Sequence, residues 1–117
     1  MRIAITGGPR TGKTALAGPN ARSTDEAMGL GWSEASEHCA SWFDDGGPSV
    51  VEGVAVPRAL RKWLATNTGR PCDEVVVLTE PRVARSNGQI TMAKGVETVM
   101  REIEPELKRR GVKVRWE

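Results

Sequence analysis

The residues best suited to chemistry in this 117-residue chain form a glycine-rich segment at positions 7–14. Its sequence, GGPRTGKT, fits the pattern GxxxxGK[ST], in which backbone N–H groups and a lysine surround phosphate oxygens. The segment consists of Gly7, Gly8, Pro9, Arg10, Thr11, Gly12, Lys13 and Thr14. Lys13 would bring a full charge to the β- and γ-phosphates, and the Thr14 hydroxyl suits Mg²⁺. The segment predicts a nucleotide-phosphate site, with a chance match by a glycine-rich turn as the alternative.

The flanking sequence provides the elements that such a loop needs. An apolar segment at residues 2–6 predicts a strand before the loop, and residues 14–17 are compatible with a helix after it. Gly18 and Pro19 follow at once, and both oppose continuation of a helix. We therefore expect a helix of barely more than one turn, which would hold the loop less rigidly.

The rest of the chain alternates between short apolar segments and helical patterns, separated by turns rich in glycine and proline. Strands are predicted at residues 49–55, 74–79 and 112–116, with a weaker one at 21–24. Helices are predicted at residues 33–43 with Ser33 as N-cap, at 57–65 with proline in the first turn, and at 91 to about 110. The last of these has an apolar stripe that comprises Met92, Val96, Val99, Met100, Ile103 and Leu107. Pro105 predicts a kink or a restart within it.

This alternation predicts an α/β fold. Strands that alternate with helices form parallel sheets through right-handed crossovers, so we expect a three-layer α/β/α sandwich with about five strands. The length of 117 residues suits one domain, spanning residues 1–117. The segment between the third predicted apolar strand and the long helix leaves no room for a separate lid domain.

Composition excludes several classes of protein. A formal charge of +2 is too balanced for a general electrostatic binder of nucleic acid or membranes, so an anionic partner must be met locally. Cys39 and Cys72 lie far apart without a CxxC motif, which indicates reduced thiols and argues against a metal site. His38 and Cys39 point about 100° apart on a helix and are interpreted as structural. We expect a cytoplasmic protein because no signal or membrane segment is present.

Together with the glycine-rich loop, four further segments carry a resemblance to a known family. They are Ser23-Thr24-Asp25, Val50-Val51-Glu52-Gly53, Pro57-Arg58 and the arginine-bearing segment before the last helix. The chain resembles the P-loop nucleotide and small-molecule kinases, the group that contains adenylate kinase, and more closely short phage-type nucleotide-kinase-like proteins. The resemblance implies the P-loop NTPase fold, ATP and Mg²⁺ as cofactors, and residence in a host cytoplasm if the protein is phage-encoded.

Two acidic residues are candidates for catalysis. Asp25 follows the weak strand, and in similar kinases an aspartate here orients or deprotonates the acceptor. The alternative is that Asp25 caps a turn or helix that begins at Glu26. Glu52 ends an apolar strand, where a carboxylate can orient Mg²⁺ through water or act as a base for water. A solvated acid at a strand end is its alternative interpretation.

The arginines are candidates for binding the acceptor and the transferring phosphoryl group. The resemblance assigns the acceptor to Arg58 alone, because Arg61 and Lys62 fit a solvated helix face equally well. Arg82 and Arg85 lie where similar kinases carry an arginine-bearing lid that stabilises the transition state, although exposed arginines would look the same. Trp32, Trp42 and Phe43 either line the acceptor pocket or belong to the core. Lys94 is interpreted as a surface residue.

The sequence therefore predicts an ATP-dependent kinase with a small acceptor, for which a nucleotide or nucleoside is the first guess. A 5′-hydroxyl end of a polynucleotide is a second acceptor, and it is the one form of nucleic acid that we expect as a partner. Two alternatives stay open: an NTP hydrolase or switch with water as acceptor, and a module that binds nucleotide without turnover.

Overall fold

The computed structural model describes residues 1–8, 11–81 and 84–117, with the backbone alone for Thr14, Ala15 and Met28. The strands are β1 (Ile3–Gly7), β2 (Arg22–Ser23), β3 (Val50–Glu52), β4 (Glu74–Leu78) and β5 (Lys113–Trp116). The α-helices are α1 (Lys13–Ala17), α2 (Trp32–Ala40), α3 (Val56–Thr66) and α4 (Asn87–Arg109). Short 3-10 helices cover Thr24–Leu30 and Ser41–Phe43.

The strands form one five-stranded sheet in the order β2-β3-β1-β4-β5, and every pair in it is parallel. This confirms the prediction of an α/β fold with a parallel sheet of about five strands. The central strand is β1, in which Ile3 lies opposite Val50 of β3 and opposite Glu74 of β4. Because all strands run the same way, the segments that follow them meet at one edge, here called the carboxyl edge.

The core lies between one face of the sheet and the helices α2, α3 and α4. Alternate strand residues point to this face, and the buried cluster contains Ala4, Val51, Val75 and Val77 from the strands with Cys39, Leu60, Trp63, Met100, Ile103 and Leu107 from the helices. Strands that are buried in this way have nearly continuous apolar sequences, which explains why these strands could be predicted.

The opposite face of the sheet is covered by fewer of the described helices. The connection from β1 to β2 crosses the sheet in the direction opposite to the later connections, so a right-handed crossover places α1 on that face. The helix α1 has five residues and contacts β1 and β3. The predicted third layer is thus uneven: among the described helices, three pack on one face and α1 alone on the other.

Helix α4 begins earlier than its apolar stripe predicted. Ser86 is the N-cap, its hydroxyl accepts a hydrogen bond from the Gln89 N–H at 3.2 Å, and the Gln89 side chain accepts one from the Ser86 N–H at 3.0 Å. This capping box stabilises a first turn that starts at Asn87 rather than at residue 91. The helix then runs without a break through Pro105, so the predicted restart is wrong.

Two other boundaries differ from expectation for local reasons. Gly31 precedes α2 with φ of 90° and takes the N-cap position, so Ser33 lies inside the helix and its assignment as N-cap is wrong. Strand β3 ends at Glu52 because Gly53 turns the chain with φ of 142°. A Cβ at Gly53 would lie 1.8 Å from the Thr24 hydroxyl oxygen, so this close approach needs glycine.

Candidate functional site

The glycine-rich loop lies at the carboxyl edge, between the end of β4 and the start of α4. A Cβ added to Gly7 would lie 2.5 Å from the carbonyl oxygen of Leu78. A Cβ added to Gly8 would lie 2.3 Å from the Ala93 Cβ and 3.0 Å from a terminal nitrogen of Arg85. Glycine at both positions therefore allows the loop backbone to approach its neighbours closely.

Two side chains of the loop converge on the carbonyl oxygen of Gly8. The buried Thr11 hydroxyl and the Lys13 ammonium each donate a hydrogen bond to it at 3.0 Å. Gly12 has φ of 85°, and its carbonyl accepts the Leu16 N–H at 3.0 Å, which starts α1. The expectation of a helix with barely more than one turn is confirmed, because α1 ends at Ala17 before Gly18. Pro9, Arg10 and the Thr14 hydroxyl lie outside the described part of the loop.

Three charged groups meet around the Lys13 ammonium. Burial lowers the pKa of Lys13 from its usual 10.5, while the Glu52 and Asp25 carboxylates act to raise it and the Arg85 guanidinium lowers it further. Glu52 is only 2% exposed, so its charge acts through a medium that screens less than water. Residues from four separate segments of the chain thus contribute charge to one place at the carboxyl edge.

Thr24 and Gly53 tie the segments after β2 and β3 together. The buried Thr24 hydroxyl accepts a hydrogen bond from the Ala55 N–H at 3.3 Å, and the Thr6 hydroxyl donates to the Gly53 carbonyl at 2.8 Å. These contacts fix the distance between Asp25, which follows Thr24, and Glu52, which precedes Gly53. Thr24 is a positioning residue that sequence analysis missed, since its partners lie far away in the chain.

Asp25 lies exposed in the first turn of the 3-10 helix Thr24–Leu30. The contacts that cap this turn come from its neighbours: the Ser23 hydroxyl accepts the Asp25 N–H at 3.2 Å, and the Glu26 carboxylate accepts the Ser23 N–H at 3.2 Å. Glu26 also pairs with Arg22 at 3.1 Å. The Asp25 carboxylate is close enough to Lys13 for its charge to act to raise the pKa of that lysine.

The segment after β4 brings Arg85 to the loop. The Thr79 N–H and hydroxyl both donate to the Glu117 carbonyl, at 2.9 and 2.6 Å, and Ser86 begins the cap of α4. Between these anchors Arg85 is half-buried beside Gly8. Arg82, the other candidate in this segment, lies outside the described residues.

Arg58 and Trp32 form the wall of a groove that lies next to the loop. The Arg58 guanidinium lies 4.4 Å from the centre of the Trp32 ring, a cation–π contact between α3 and α2. A cavity of about 360 Å³, called here the α4 groove, is lined by this pair with Gly88, Thr91, Met92 and Gly95. The four α4 residues follow the spacing i, i+3, i+4, i+7 and therefore share one face of the helix. A stripe of small residues around Met92 is thus the sequence feature that could have predicted this groove.

The remaining candidates have structural surroundings. Trp42 and Phe43 are buried in the core, so of the three aromatic candidates only Trp32 lines the α4 groove. Arg61 pairs with Glu102 at 3.0 Å, and His38 meets Trp42 edge-on. Burial raises the pKa of the Cys39 thiol to about 11 and that of Cys72 to about 12, which makes both unreactive at neutral pH.

The described residues contain no group of three or more histidine, cysteine, aspartate or glutamate side chains arranged around a metal position. No helix in the same part of the chain has the length and apolar character of a membrane span.

A cavity of about 390 Å³ near Trp63 lies at the other end of the strands. Its lining includes Asp44, whose carboxylate accepts the Trp63 indole N–H at 2.9 Å, and Asn67 at the end of α3. Because α2 and α3 run from the carboxyl edge to the amino ends of the strands, their last turns are far from the glycine-rich loop. The size of this cavity therefore does not make it the candidate site.

A scan of protein-family models, a search of curated proteins and a search of solved structures found no match to this chain.

Proposed function

We propose that this chain is a P-loop phosphotransferase that moves the γ-phosphoryl group of Mg²⁺·ATP to a small acceptor. The observation that carries the proposal is the convergence of Lys13, Glu52, Asp25 and Arg85 beside the glycine-rich loop. In open parallel α/β sheets, ligands bind outside the carboxyl ends of the strands, which is where this convergence lies. The P-loop NTPase fold is part of the proposal.

Lys13 and the loop amides hold the phosphates of ATP. The Lys13 ammonium, which donates to the Gly8 carbonyl at 3.0 Å in the unliganded chain, transfers to a phosphate oxygen when nucleotide binds. The exchange is favourable because its partly desolvated charge gains an anionic partner in place of a neutral carbonyl. Lys13 is thus poised for an anion.

The donors present suit Mg²⁺. This ion binds proteins through one or two carboxylates or hydroxyls together with substrate phosphates and water, and no cage of protein ligands is needed. Thr14 would supply its hydroxyl, and Glu52 would hold the hydrated ion through water from the end of β3. When bound, Mg²⁺ neutralises charge on the β- and γ-phosphates.

Asp25 and Arg58 serve the acceptor. Arg58 binds it in the α4 groove, and the Asp25 carboxylate accepts the proton of its hydroxyl. A bond then forms between the acceptor oxygen and the γ-phosphorus while the bond from that phosphorus to the β–γ bridging oxygen breaks. ADP leaves, and the proton passes from Asp25 to solvent.

Arg85 stabilises charge late in this step. Its guanidinium already lies beside Gly8, so little movement is needed to place it on the transferring group. We assign the same role to Arg82, in the same segment. With residues 79–86 alone between β4 and α4, closure is a movement of a short loop rather than of a lid domain.

Glu52 supports a second candidate function, hydrolysis of a nucleoside triphosphate with water as acceptor. A buried carboxylate beside Lys13 can act as the base for a water molecule. In that case the state of the bound nucleotide would be reported to a protein partner. Nucleotide binding without turnover is the third candidate, and it follows from the short α1.

The experiment is a measurement of ADP release from Mg²⁺·ATP with a panel of acceptors beside a control with water alone. Nucleosides, nucleoside monophosphates, sugar acids and 5′-hydroxyl oligonucleotides form the panel. Lys13→Ala removes the phosphate charge, and Lys94→Ala, at an exposed lysine of α4, is the matched control. Release that depends on one acceptor and is lost in Lys13→Ala alone supports the kinase.

Asp25→Asn separates the two enzymatic candidates. We expect it to lower transfer to the acceptor by 10²-fold or more and to leave any release into water unchanged, as about that factor is typical for a general base. Asp45→Asn, at an exposed residue of the turn before β3, is its control. Full transfer by Asp25→Asn overturns the acceptor assignment, and equal release in every well, lost in Lys13→Ala, selects the hydrolase.

A further inference from the structure

Strand β5 forms one edge of the sheet, and no other described segment pairs with its far side. The opposite edge is formed by β2, which has only two residues and gives a partner strand little to bind. β5 has four residues. Among the described strands it is therefore the edge better suited to pairing with a further strand.

The backbone groups of β5 divide between β4 and the free edge. The N–H groups of Lys113 and Glu117 donate to carbonyl oxygens of the β4 segment at 3.0 and 2.8 Å. Backbone groups of successive strand residues point to opposite sides, so the N–H and C=O groups of Val114 and Trp116 point away from β4. These four groups are the hydrogen-bonding capacity that the edge offers to a partner.

The apolar side chains of β5 lie on the face of the sheet that packs against α4. Val114 and Trp116 pack on the buried core there. The Trp116 indole N–H donates to the Glu104 carboxylate at 3.2 Å, and the Arg101 guanidinium lies 4.9 Å from the centre of the Trp116 ring. Because Glu104 and Arg101 both belong to α4, these contacts hold the indole on the helical face.

The other face of β5 carries four charged side chains, called here the charged strip: Lys113, Arg115, Glu117 and, from β4, Glu74. Arg115 pairs with Glu117 at 2.7 Å and with Glu74 at 3.9 Å. Charged side chains often protect an edge strand, because a second copy would meet charges of the same sign. With two cationic and two anionic side chains, the charged strip can instead complement a second copy of itself.

One register lets a second copy use all four free backbone groups. Two identical edges related by a twofold axis perpendicular to the sheet run antiparallel, and only residues with outward backbone groups form hydrogen-bonded pairs. Val114 opposite Trp116 of the second copy meets this condition twice. Val114 opposite itself would bring in Val112, whose N–H is already bonded within its own chain at 2.9 Å, and would oppose Lys113 to Arg115. Trp116 opposite itself would use the groups of Trp116 alone.

The same register also matches the side chains. Val114 lies beside Trp116 of the second copy on the helical face, and a β-branched residue beside an aromatic one stabilises paired strands. On the charged strip, Lys113 lies opposite Glu117 of the second copy, and this pair occurs twice. Arg115 lies opposite itself, with its charge balanced by carboxylates of its own chain.

We propose that β5 is a self-association surface whose occupant is a second copy of this chain, paired antiparallel with Val114 opposite Trp116. The two sheets then form one sheet of ten strands. Since only one short strand from each copy takes part, the dimer belongs to the small, transient class of interfaces. The association does not depend on the proposed phosphotransfer.

This pairing would also reach the carboxyl edge. The Glu117 carbonyl accepts hydrogen bonds from the N–H and the hydroxyl of Thr79, at 2.9 and 2.6 Å. Thr79 begins the segment that carries Arg85 to the glycine-rich loop. A second copy bound along β5 therefore braces the anchor of that segment.

Sedimentation velocity of the full chain at about 10 µM to 1 mM tests the proposal, because weak dimers form in this range of concentration. We expect the sedimentation coefficient to rise from the monomer toward the dimer value. Lys113→Glu and Glu117→Lys each oppose like charges twice, so each alone should raise the dimer Kd about tenfold or more. Lys94→Glu, the same charge change at an exposed lysine of α4, is the matched control and should leave Kd unchanged.

An equimolar mixture of the two charge variants tests the register. In a mixed dimer, one Lys113–Glu117 pair is the original and the other has its charges exchanged, so the mixture should regain the original Kd within about twofold. A misfolded variant could not produce this rescue. A chain that stays monomeric at every concentration, as it would if β5 bound only a strand of another protein, overturns the proposal. A dimer that neither variant weakens, or two weakened variants that fail to rescue each other, also overturns it.

Discussion

At the scale of single residues, the surroundings of Lys13 leave its charge partly uncompensated. This favours the binding of an anionic ligand and lowers the stability of the unliganded chain. Burial disfavours its charged form more than the carboxylates of Glu52 and Asp25 favour it, so its pKa is lowered from the usual 10.5. A lysine in this state destabilises the empty protein at neutral pH, because the charge is carried with incomplete compensation. Such a cost is common at functional sites.

Replacement of Lys13 by methionine should therefore separate binding from stability. We expect nucleotide affinity to fall by about 10- to 100-fold, the value of a hydrogen bond from a charged group, while the melting temperature stays equal or rises. Between the lowered pKa and 10.5, the unfolded chain binds more protons than the folded one, so the contribution of Lys13 to stability increases with pH in that interval. Thermal melts at neutral and alkaline pH measure this, and a lower melting temperature of the variant at pH 7 would contradict it.

A second residue, Arg110, has a structural task. Its guanidinium donates to the carbonyl oxygens of Asn67, Gly69 and Leu64 at 2.8 to 3.0 Å, and so closes the C-terminal end of α3. Its side chain is 12% exposed, against 70% for the adjacent Arg109.

Arg110→Ala should lower the free energy of unfolding by about 2 kcal/mol, since the partly buried carbonyls of Leu64 and Asn67 lose charged donors. Arg109→Ala is the matched control, because Arg109 shares the Glu106 partner but not the contacts with α3. Urea unfolding of both variants measures the difference. Equal losses in the two variants would show that the Glu106 ion pairs, rather than the α3 carbonyls, are the source of stability.

At the scale of elements, α4 sets the geometry of the site. The cap fixes where α4 begins, so that Ala93 lies against Gly8. Gly88, Thr91, Met92 and Gly95 of the same helix line the α4 groove. Its other end contains Pro105 in a continuous helix. Proline lacks the N–H that would bond to the carbonyl of residue 101, and its ring crowds the preceding turn.

Pro105→Ala should consequently stabilise the chain, by about 1 to 3 kcal/mol from restored hydrogen bonding and helix propensity. Thr98→Ala, also at an exposed position of α4, provides the control for propensity alone. Denaturant midpoints compare the two. If Pro105→Ala gains no more than Thr98→Ala, then the helix has already adapted to the proline.

The sequence predicted the elements well where one local pattern dominated. The apolar runs predicted four of the five strands, and β2 was the weaker prediction at residues 21–24. The GxxxxGK[ST] match placed the loop between β1 and α1. The start of α4 was missed because the Ser86–Gln89 capping box begins the helix ahead of the apolar stripe, whose first residue is Met92. The start of α2 was missed because the positive φ of Gly31 does not show in its residue type.

The site was predictable only in part, because its contacts join distant segments. Asp25, Glu52 and Arg85 were candidates from their positions at or after strand ends and from the resemblance, and Arg58 was a candidate from the resemblance alone. Each stays a prediction in its chemical role. The stacking of Arg58 on Trp32 depends on how α2 packs against α3. The approach of Arg85 to Gly8 depends on the placement of β4 beside β1, which no local pattern encodes.

At the scale of the whole molecule, one edge of the sheet collects the candidate groups, and the uneven layers leave α1 as their sole helical support on one face among the described elements. Ligand binding at that edge would tie the segments after β1, β2, β3 and β4 together. Whatever binds only the folded state stabilises the whole chain by mass action.

Mg²⁺·ATP at about one hundred times its Kd should add roughly 2.7 kcal/mol, a rise of about 10 °C in melting temperature. Lys13→Met should lose most of this shift, and ATP with a chelator should produce a smaller one if Glu52 holds the hydrated ion. A thermal shift assay with ATP, ADP and AMP measures it. The same rise with AMP as with ATP would contradict a role for the β- and γ-phosphates.

The position of β1 in the middle of the sheet also shapes how this chain folds during synthesis. β1 precedes both of its neighbours in the chain, and its hydrogen-bonding partners lie in residues 50–52 and 74–78. A nascent chain cannot complete that strand until β4 has left the ribosome, and unpaired strand edges are prone to aggregation. The glycine-rich loop, which follows β1, thus acquires its final shape only after the residues through Leu78 have emerged.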